Sequence, residues 1–177
     1  MPMMRFQLRA MEPRDLEAMH ALDHLCFEEP FRFSWSSMRR FASQPNAIGL
    51  VAEFQAVGFT GRPNHGSSLQ VPGELAGFTI VHVDRRDQSA YLVTLDVHPS
   101  ARRHGLAERM VAELEGKSAA AGARSMHLHV YSGNEIAIRL YERWGYRRLN
   151  LEKNLYADGF DAWTYSKPLE LGRRVDC

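Results

Sequence analysis

Polar and apolar residues alternate from Arg5 to Ala10, the pattern of a short strand with one face turned to a core. After Glu12-Pro13-Arg14-Asp15 the period changes. Leu16, Met19, Leu22 and Leu25 or Cys26 recur at helical spacing, and the proline suits a first helical turn. An aromatic-rich loop, Phe27 to Phe33, precedes Ser34, which is placed to cap a second helix running through Phe41. Ala47–Phe54 and Leu75–Asp84 read as paired strands. Between them, residues 55–73 hold four glycines and two prolines. That is far longer than a hairpin loop of about 2–5 residues, so it reads as an insertion.

The second half alternates strands with helices. Tyr91–Val97 is β-branched and apolar at both parities and reads as a strand buried on both faces. Leu106, Met110, Val111 and Leu114 carry a helix from Gly105 to about Ala121, ended by Gly122. Ser125–Val130 predicts a strand with His127, His129 and Tyr131 opposite Met126, Leu128 and Val130. A helix over Asn134–Trp144 follows, closed by Gly145, then strands near Tyr146–Asn154 and Phe160–Pro168. Residues 170–177 form a polar tail. The mixture predicts one α/β (α+β) sheet domain over residues 1–169.

Composition narrows the function. The chain has 177 residues, 45% hydrophobic and 24% charged, enough for a core of ordinary soluble type. A net charge of +1 argues against nucleic acid or a membrane surface as partner. Cys26 and Cys177 make no disulfide framework, and no metal-ligand spacing stands out, so a cytoplasmic, metal-free protein is expected. Neither cysteine lies near the chemistry-bearing residues in sequence, so no covalent enzyme intermediate is implied. The first residues lack the apolar core of a signal peptide.

Arg102-Arg103-His104-Gly105-Leu106-Ala107 sits where a strand gives way to a helix. A helix N-terminus offers free N–H groups and the positive end of its dipole, hence an anion site. Gly105 and Ala107 would let a pyrophosphate approach the backbone, and two arginines add charge. The same residues also suit an ordinary turn with a basic surface. A Gly-x-Gly-x-x-Gly dinucleotide motif is absent.

The loop resembles the Arg/Gln-x-x-Gly-x-Gly/Ala signature of GCN5-related N-acetyltransferases (GNAT). Asn134, Ala137, Tyr141, Gly145 and Tyr146 resemble that superfamily's Asn-x-x-Ala-x-x-x-Tyr-x-x-x-Gly-Phe/Tyr helix, position for position. The resemblance covers residues 91–146. It implies a mixed, twisted sheet of about seven strands with helices on both faces, splayed between the fourth and fifth strands. It also implies an acetyl-CoA-dependent N-acetyltransferase acting by direct attack in a ternary complex. Leu95 and Val97 would pair with the pantetheine arm through their backbones, and Arg102, Arg103, His104, Gly105, Leu106 and Ala107 would hold the pyrophosphate. Asn134 would hydrogen-bond the pantetheine, and the Tyr141 hydroxyl would stand beside the CoA sulfur.

The acceptor rests on a finer likeness. Tyr91 and His129 resemble the tyrosine and histidine with which a eukaryotic Nα-acetyltransferase of hydrophobic, methionine-starting N-termini deprotonates its substrate amine. The bacterial ribosomal-protein alanine acetyltransferase (RimI type) has a glutamate where His129 stands. Lys153-Asn154-Leu155-Tyr156 with Asp161-Ala162 resembles the hairpin by which Nα-acetyltransferases grip a peptide, with Leu155 replacing one tyrosine. Phe27, Pro30 and Phe31 occupy the place of the loop lining the first-residue pocket. An α-amine titrates near ~8 and a lysine near ~10.4, so the α-amine is easier to deprotonate by roughly 3.4 kcal/mol, within reach of a histidine base. A protein or peptide N-terminus is the expected acceptor. A small amine or lysine side chain is the alternative, and a non-catalytic CoA-binding domain a more remote one.

Overall fold

The computed structural model describes residues 4–55 and 74–170. The chain runs β1 (Phe6–Ala10), α1 (Leu16–Cys26), α2 (Trp35–Ala42), β2 (Ala47–Phe54), β3 (Leu75–Asp84), β4 (Ser89–Val97), α3 (Leu106–Ala120), β5 (Ser125–Tyr131), α4 (Glu135–Arg143), β6 (Arg147–Ala157) and β7 (Phe160–Pro168). The seven strands form one sheet in the order β1-β2-β3-β4-β5-β7-β6. Neighbours are antiparallel except β4 and β5, which run parallel. Apart from Gln55 and Glu170, the expected insertion and tail lie outside the described residues.

Local signals account for most element ends. Ser34 Oγ accepts from the Ser37 N–H and starts α2, and the Asn134 carboxamide oxygen accepts from the Ala137 N–H and starts α4. Gly105 precedes α3 at φ +75°, a left-handed conformation that a residue with a Cβ adopts at a cost.

Apolar stripes fix the layers. Met19, Leu22 and Met38 of α1 and α2 pack with Val51, Phe78 and Ile80 on one face of the sheet. Val111 and Leu114 of α3 pack with Leu50, Val81 and Leu92 on the other. On α1 the stripe uses Cys26; Leu25 is 55% exposed.

β4 differs from its expected burial on both faces. Ala90, Leu92, Thr94 and Asp96 are buried, and the residues between them are more open. The reason is a bulge. Ile80 pairs with Thr94 but Val81 with Leu92, so Val93 is an extra residue. It switches the faces: Leu92 joins the α3 side, Val93 joins the α1–α2 side, and Leu95 and Val97 return to pack near Leu106 and Met110. The parallel pairing of β4 with β5 covers only Ser89, Ala90 and Tyr91 against Ser125, Met126 and His127. Beyond Tyr91 the two strands part, and the fork they leave is where the candidate residues gather.

Candidate active site

Tyr91 is the last β4 residue paired with β5. Its hydroxyl lies 2.8 Å from His129 Nδ1, two residues further along β5. Strand alternation aims both side chains to one face, because Leu128 and Val130 take the buried positions. Burial pushes the Tyr91 phenol up, so it keeps its proton. Burial also lowers His129, with nearby Glu152 opposing and His127 adding to the fall, so the imidazole is neutral near pH 7.

Tyr141, on α4, packs edge-on against Trp144 and Tyr146 at 5.5 and 5.6 Å between ring centres. Burial raises its phenol strongly, and Tyr156, Asp96 and Tyr91 push the same way. The residues matched on β4, α4 and β6 are therefore near enough to influence one another's charge. The Tyr141 hydroxyl makes no hydrogen bond among the described residues, which leaves its proton free for another acceptor.

The loop after β4 has Arg103 at φ +64° and Gly105 at φ +75°. A Cβ placed on Gly105 would meet nothing within 4 Å, so the backbone there is open to an approaching group. That openness, with the free N–H groups of the first turn of α3, fits a phosphate. Leu106 is 2% exposed, so only its backbone can serve such a group. The His104 ring lies edge-on to Phe6 at 6.3 Å, and Arg102 Nε donates to the Val97 carbonyl at 3.1 Å. Arg103 and Ala107 complete the loop, the former exposed. Since the Asn134 oxygen caps α4, its NH₂ is the part left for a ligand.

Cys26 is nearer the site than its place in the sequence suggests. Its thiol donates to the same Val97 carbonyl at 3.4 Å. Burial pushes the thiol up to about 11, and Asp96 adds to the rise, so it stays protonated and is a poor nucleophile. The expectation that no covalent intermediate forms rests on sequence distance alone, whereas the raised thiol is the structural observation that bears on it. Asp96 itself is 1% exposed, accepts a hydrogen bond from Thr94 Oγ1, and is raised far above the usual carboxylate range by burial.

Phe31 meets Tyr131, Tyr156 and Phe160 at 4.8, 5.1 and 5.5 Å between ring centres. Phe27 and Pro30 share its loop and are half-buried, and Phe27 is outside this ring cluster among the described residues. Tyr131 and Phe160 escaped the sequence reading. The signal for Tyr131 was its place two residues after His129 on the same face. Gly133 makes room for it: a Cβ there would stand 2.7 Å from the Tyr131 ring.

Residues 16–146 match the Acetyltransferase (GNAT) family. The chain belongs to that family. As expected from the two motifs, it is an acetyl-CoA-dependent acetyltransferase. Solved structures share its fold at low identity. The ribosomal-protein-S18-alanine N-acetyltransferase from Escherichia coli is 19% identical with a TM-score of 0.74, covering 98% of this chain and 99% of that one. Arabidopsis thaliana NAA60 in complex with acetyl-CoA is 22% identical with a TM-score of 0.73, covering 93% and 99%. The spermidine/spermine N-acetyltransferase SpeG from Vibrio cholerae is 16% identical with a TM-score of 0.66, covering 93% of each chain. No helix among the described residues is long and apolar enough to cross a membrane.

Proposed function

We propose that this GNAT enzyme transfers acetyl from acetyl-CoA to the N-terminal α-amine of a protein or peptide. The observation that carries this reading is the 2.8 Å contact between Tyr91 and His129, beside an aromatic wall on the acceptor side. An imidazole held neutral is a base matched to an α-amine rather than to a lysine. The E. coli and Arabidopsis enzymes named above are similar in fold, and the first acts on a protein alanine, which supports a peptide acceptor. A cytoplasmic setting fits this role.

The proton path follows from the protonation states. With the His129 proton on Nε2, the neutral phenol donates to Nδ1, so the Tyr91 oxygen keeps a lone pair for an acceptor N–H. As the amine nitrogen bonds the acetyl carbon and the carbon–sulfur bond breaks, Tyr91 takes the amine proton and passes its own to His129. Tyr141, protonated and without a hydrogen-bond partner among the described residues, gives its proton to the departing sulfur. Acetyl-CoA supplies the activated acetyl group. The loop Arg102–Ala107 would hold its pyrophosphate, with the Asn134 amide and the backbones of Leu95 and Val97 along its arm. At Val97 the N–H would serve, because the carbonyl already accepts from Cys26 and Arg102.

A panel of peptides with free α-amines, some carrying internal lysines, tests the acceptor with acetyl-CoA and mass spectrometry. Label at the α-amine is expected. Label confined to lysines, or turnover with spermidine and not with peptides, would overturn the reading.

A further inference from the structure

The loop between α1 and α2 brings Phe31 to Tyr156, and three side chains of α1 converge on one residue of that loop, Phe33. The Phe33 N–H donates to Asp23 Oδ2 at 2.7 Å. The Phe33 carbonyl lies 3.2 Å from both His20 Nε2 and His24 Nε2. A carbonyl oxygen only accepts, so both rings carry a proton on Nε2. Positions 20, 23 and 24 lie on one face of the helix, and together they take both backbone groups of one loop residue. The two imidazoles stand 4.3 Å apart, with Trp35 edge-on to His20 at 5.4 Å.

This is a costly arrangement for a mere loop anchor. Asp23 is 0% exposed, and its other oxygen has no partner among the described residues. A buried, half-satisfied carboxyl destabilises a fold. The arrangement has a geometric result. Phe33 is stapled to α1, its ring packs on Phe41 of α2 at 5.2 Å, and Phe31, two residues earlier, is held against the three rings of β5, β6 and β7.

We propose that Asp23, with His20 and His24, is the positioning device of the acceptor site, fixing Phe33 and through it the height of Phe31 over Tyr156. This rests on the reading of that aromatic wall as the acceptor side. Among the described residues the clamp makes no hydrogen bond to Tyr91, His129, Tyr141 or the loop before α3, and beyond its own loop Asp23 reaches Asp96 only through charge. Its loss must therefore appear in acceptor binding and spare acetyl-CoA. Burial raises the Asp23 carboxyl toward its neutral form. Asparagine is then a close mimic, since its amide oxygen can still accept from Phe33.

The test compares Asp23→Ala and Asp23→Asn with wild type in full-length enzyme. Acceptor KM and kcat are measured with a peptide that wild type acetylates, and acetyl-CoA affinity by calorimetry. Should wild type acetylate only spermidine, the peptide reading fails and spermidine becomes the acceptor for the clamp test. Asp23→Ala is expected to raise acceptor KM about tenfold or more, the effect of one lost buried hydrogen bond. Its kcat and acetyl-CoA affinity should stay within about threefold, with Asp23→Asn near wild type throughout. The proposal is overturned if Asp23→Ala leaves acceptor KM unchanged, if acetyl-CoA affinity falls in parallel, or if Asn is as damaging as Ala. If Asp23→Ala does not fold, the more exposed pair His20→Ala/His24→Ala takes its place. It must show the same rise in acceptor KM alone; a wild-type acceptor KM, or loss of acetyl-CoA binding with it, overturns the proposal.

Discussion

The Tyr91 hydroxyl and His129 Nδ1 stand 2.8 Å apart across the fork where β4 leaves β5. The phenol is kept protonated and the imidazole neutral, and the proposed reaction uses the two as one proton-accepting unit. Groups that act as a unit fail together. Tyr91→Phe and His129→Ala are each expected to lower kcat by about 10²–10⁴-fold, with little change in acetyl-CoA affinity. The double variant should be hardly worse than either single one. Steady-state kinetics with a peptide acceptor decide it: independent, multiplying losses would show that the two residues do not work as a relay.

The same pair sets a pH window. His129 is lowered, so it remains an unprotonated acceptor at values where an ordinary histidine, near ~6.5, is already charged. Tyr91 is raised, so the phenol survives beyond ~10. With peptide and acetyl-CoA saturating, and with the rate divided by the free-amine fraction of an acceptor that titrates near ~8, kcat should hold level from near neutral down past pH ~6.5 and fall only as the lowered histidine protonates. In His129→Gln this acid limb should vanish from the remaining activity. An acid limb at or above the ordinary histidine value that remains after the correction for the amine, and is lost in His129→Gln, would contradict the burial argument.

Strand and helix periods, and the cap Ser34, were legible in the sequence because each depends on neighbours within a turn. The donor-side motifs were equally legible, since a helix and the loop before it sit in one contiguous stretch. The bulge at Val93 was not, because an extra residue shows only against the partner strand. That is why β4 read as apolar on both faces. Cys26 and Tyr131 escaped for a similar reason: the first meets Val97 71 residues away. Tyr131 gains its place only when the α1–α2 loop lays Phe31 on it.

Gly105 offers a check on the donor side that leaves the acceptor machinery alone. Its φ of +75° suits glycine or asparagine and strains a β-branched residue, while the space for a Cβ is open. Gly105→Val must therefore act through the backbone, displacing the N–H groups at the start of α3. Its acetyl-CoA dissociation constant should rise about tenfold or more, the scale of about 1–3 kcal/mol of backbone strain. Gly105→Asn should show a much smaller effect. Calorimetric titration with acetyl-CoA measures both, and equal losses in the two variants would mean that backbone conformation is not what the site needs.

Stability at the sheet's first edge depends on one arginine. Arg9 on β1 bonds both oxygens of Asp15 at 2.7 Å and also reaches Glu53 on β2, so it ties the start of α1 to two strands. Asp15 also accepts from the Glu12 N–H at 2.8 Å. The Arg9 hydrogen bonds hold the Asp15 carboxyl below its ordinary value against the effect of burial. A carboxylate depressed in the fold stabilises it above the unfolded value near ~3.9, and that contribution is lost as pH falls through the lower folded value. Asp15→Asn should therefore cost about 1–3 kcal/mol at pH 7, leaving part of the Arg9 charge unmatched. The gap from wild type should narrow as pH drops below ~4. Urea unfolding at pH 7 and pH 3 measures it, and a gap of the same size at both values would show that the charge on Asp15 contributes nothing.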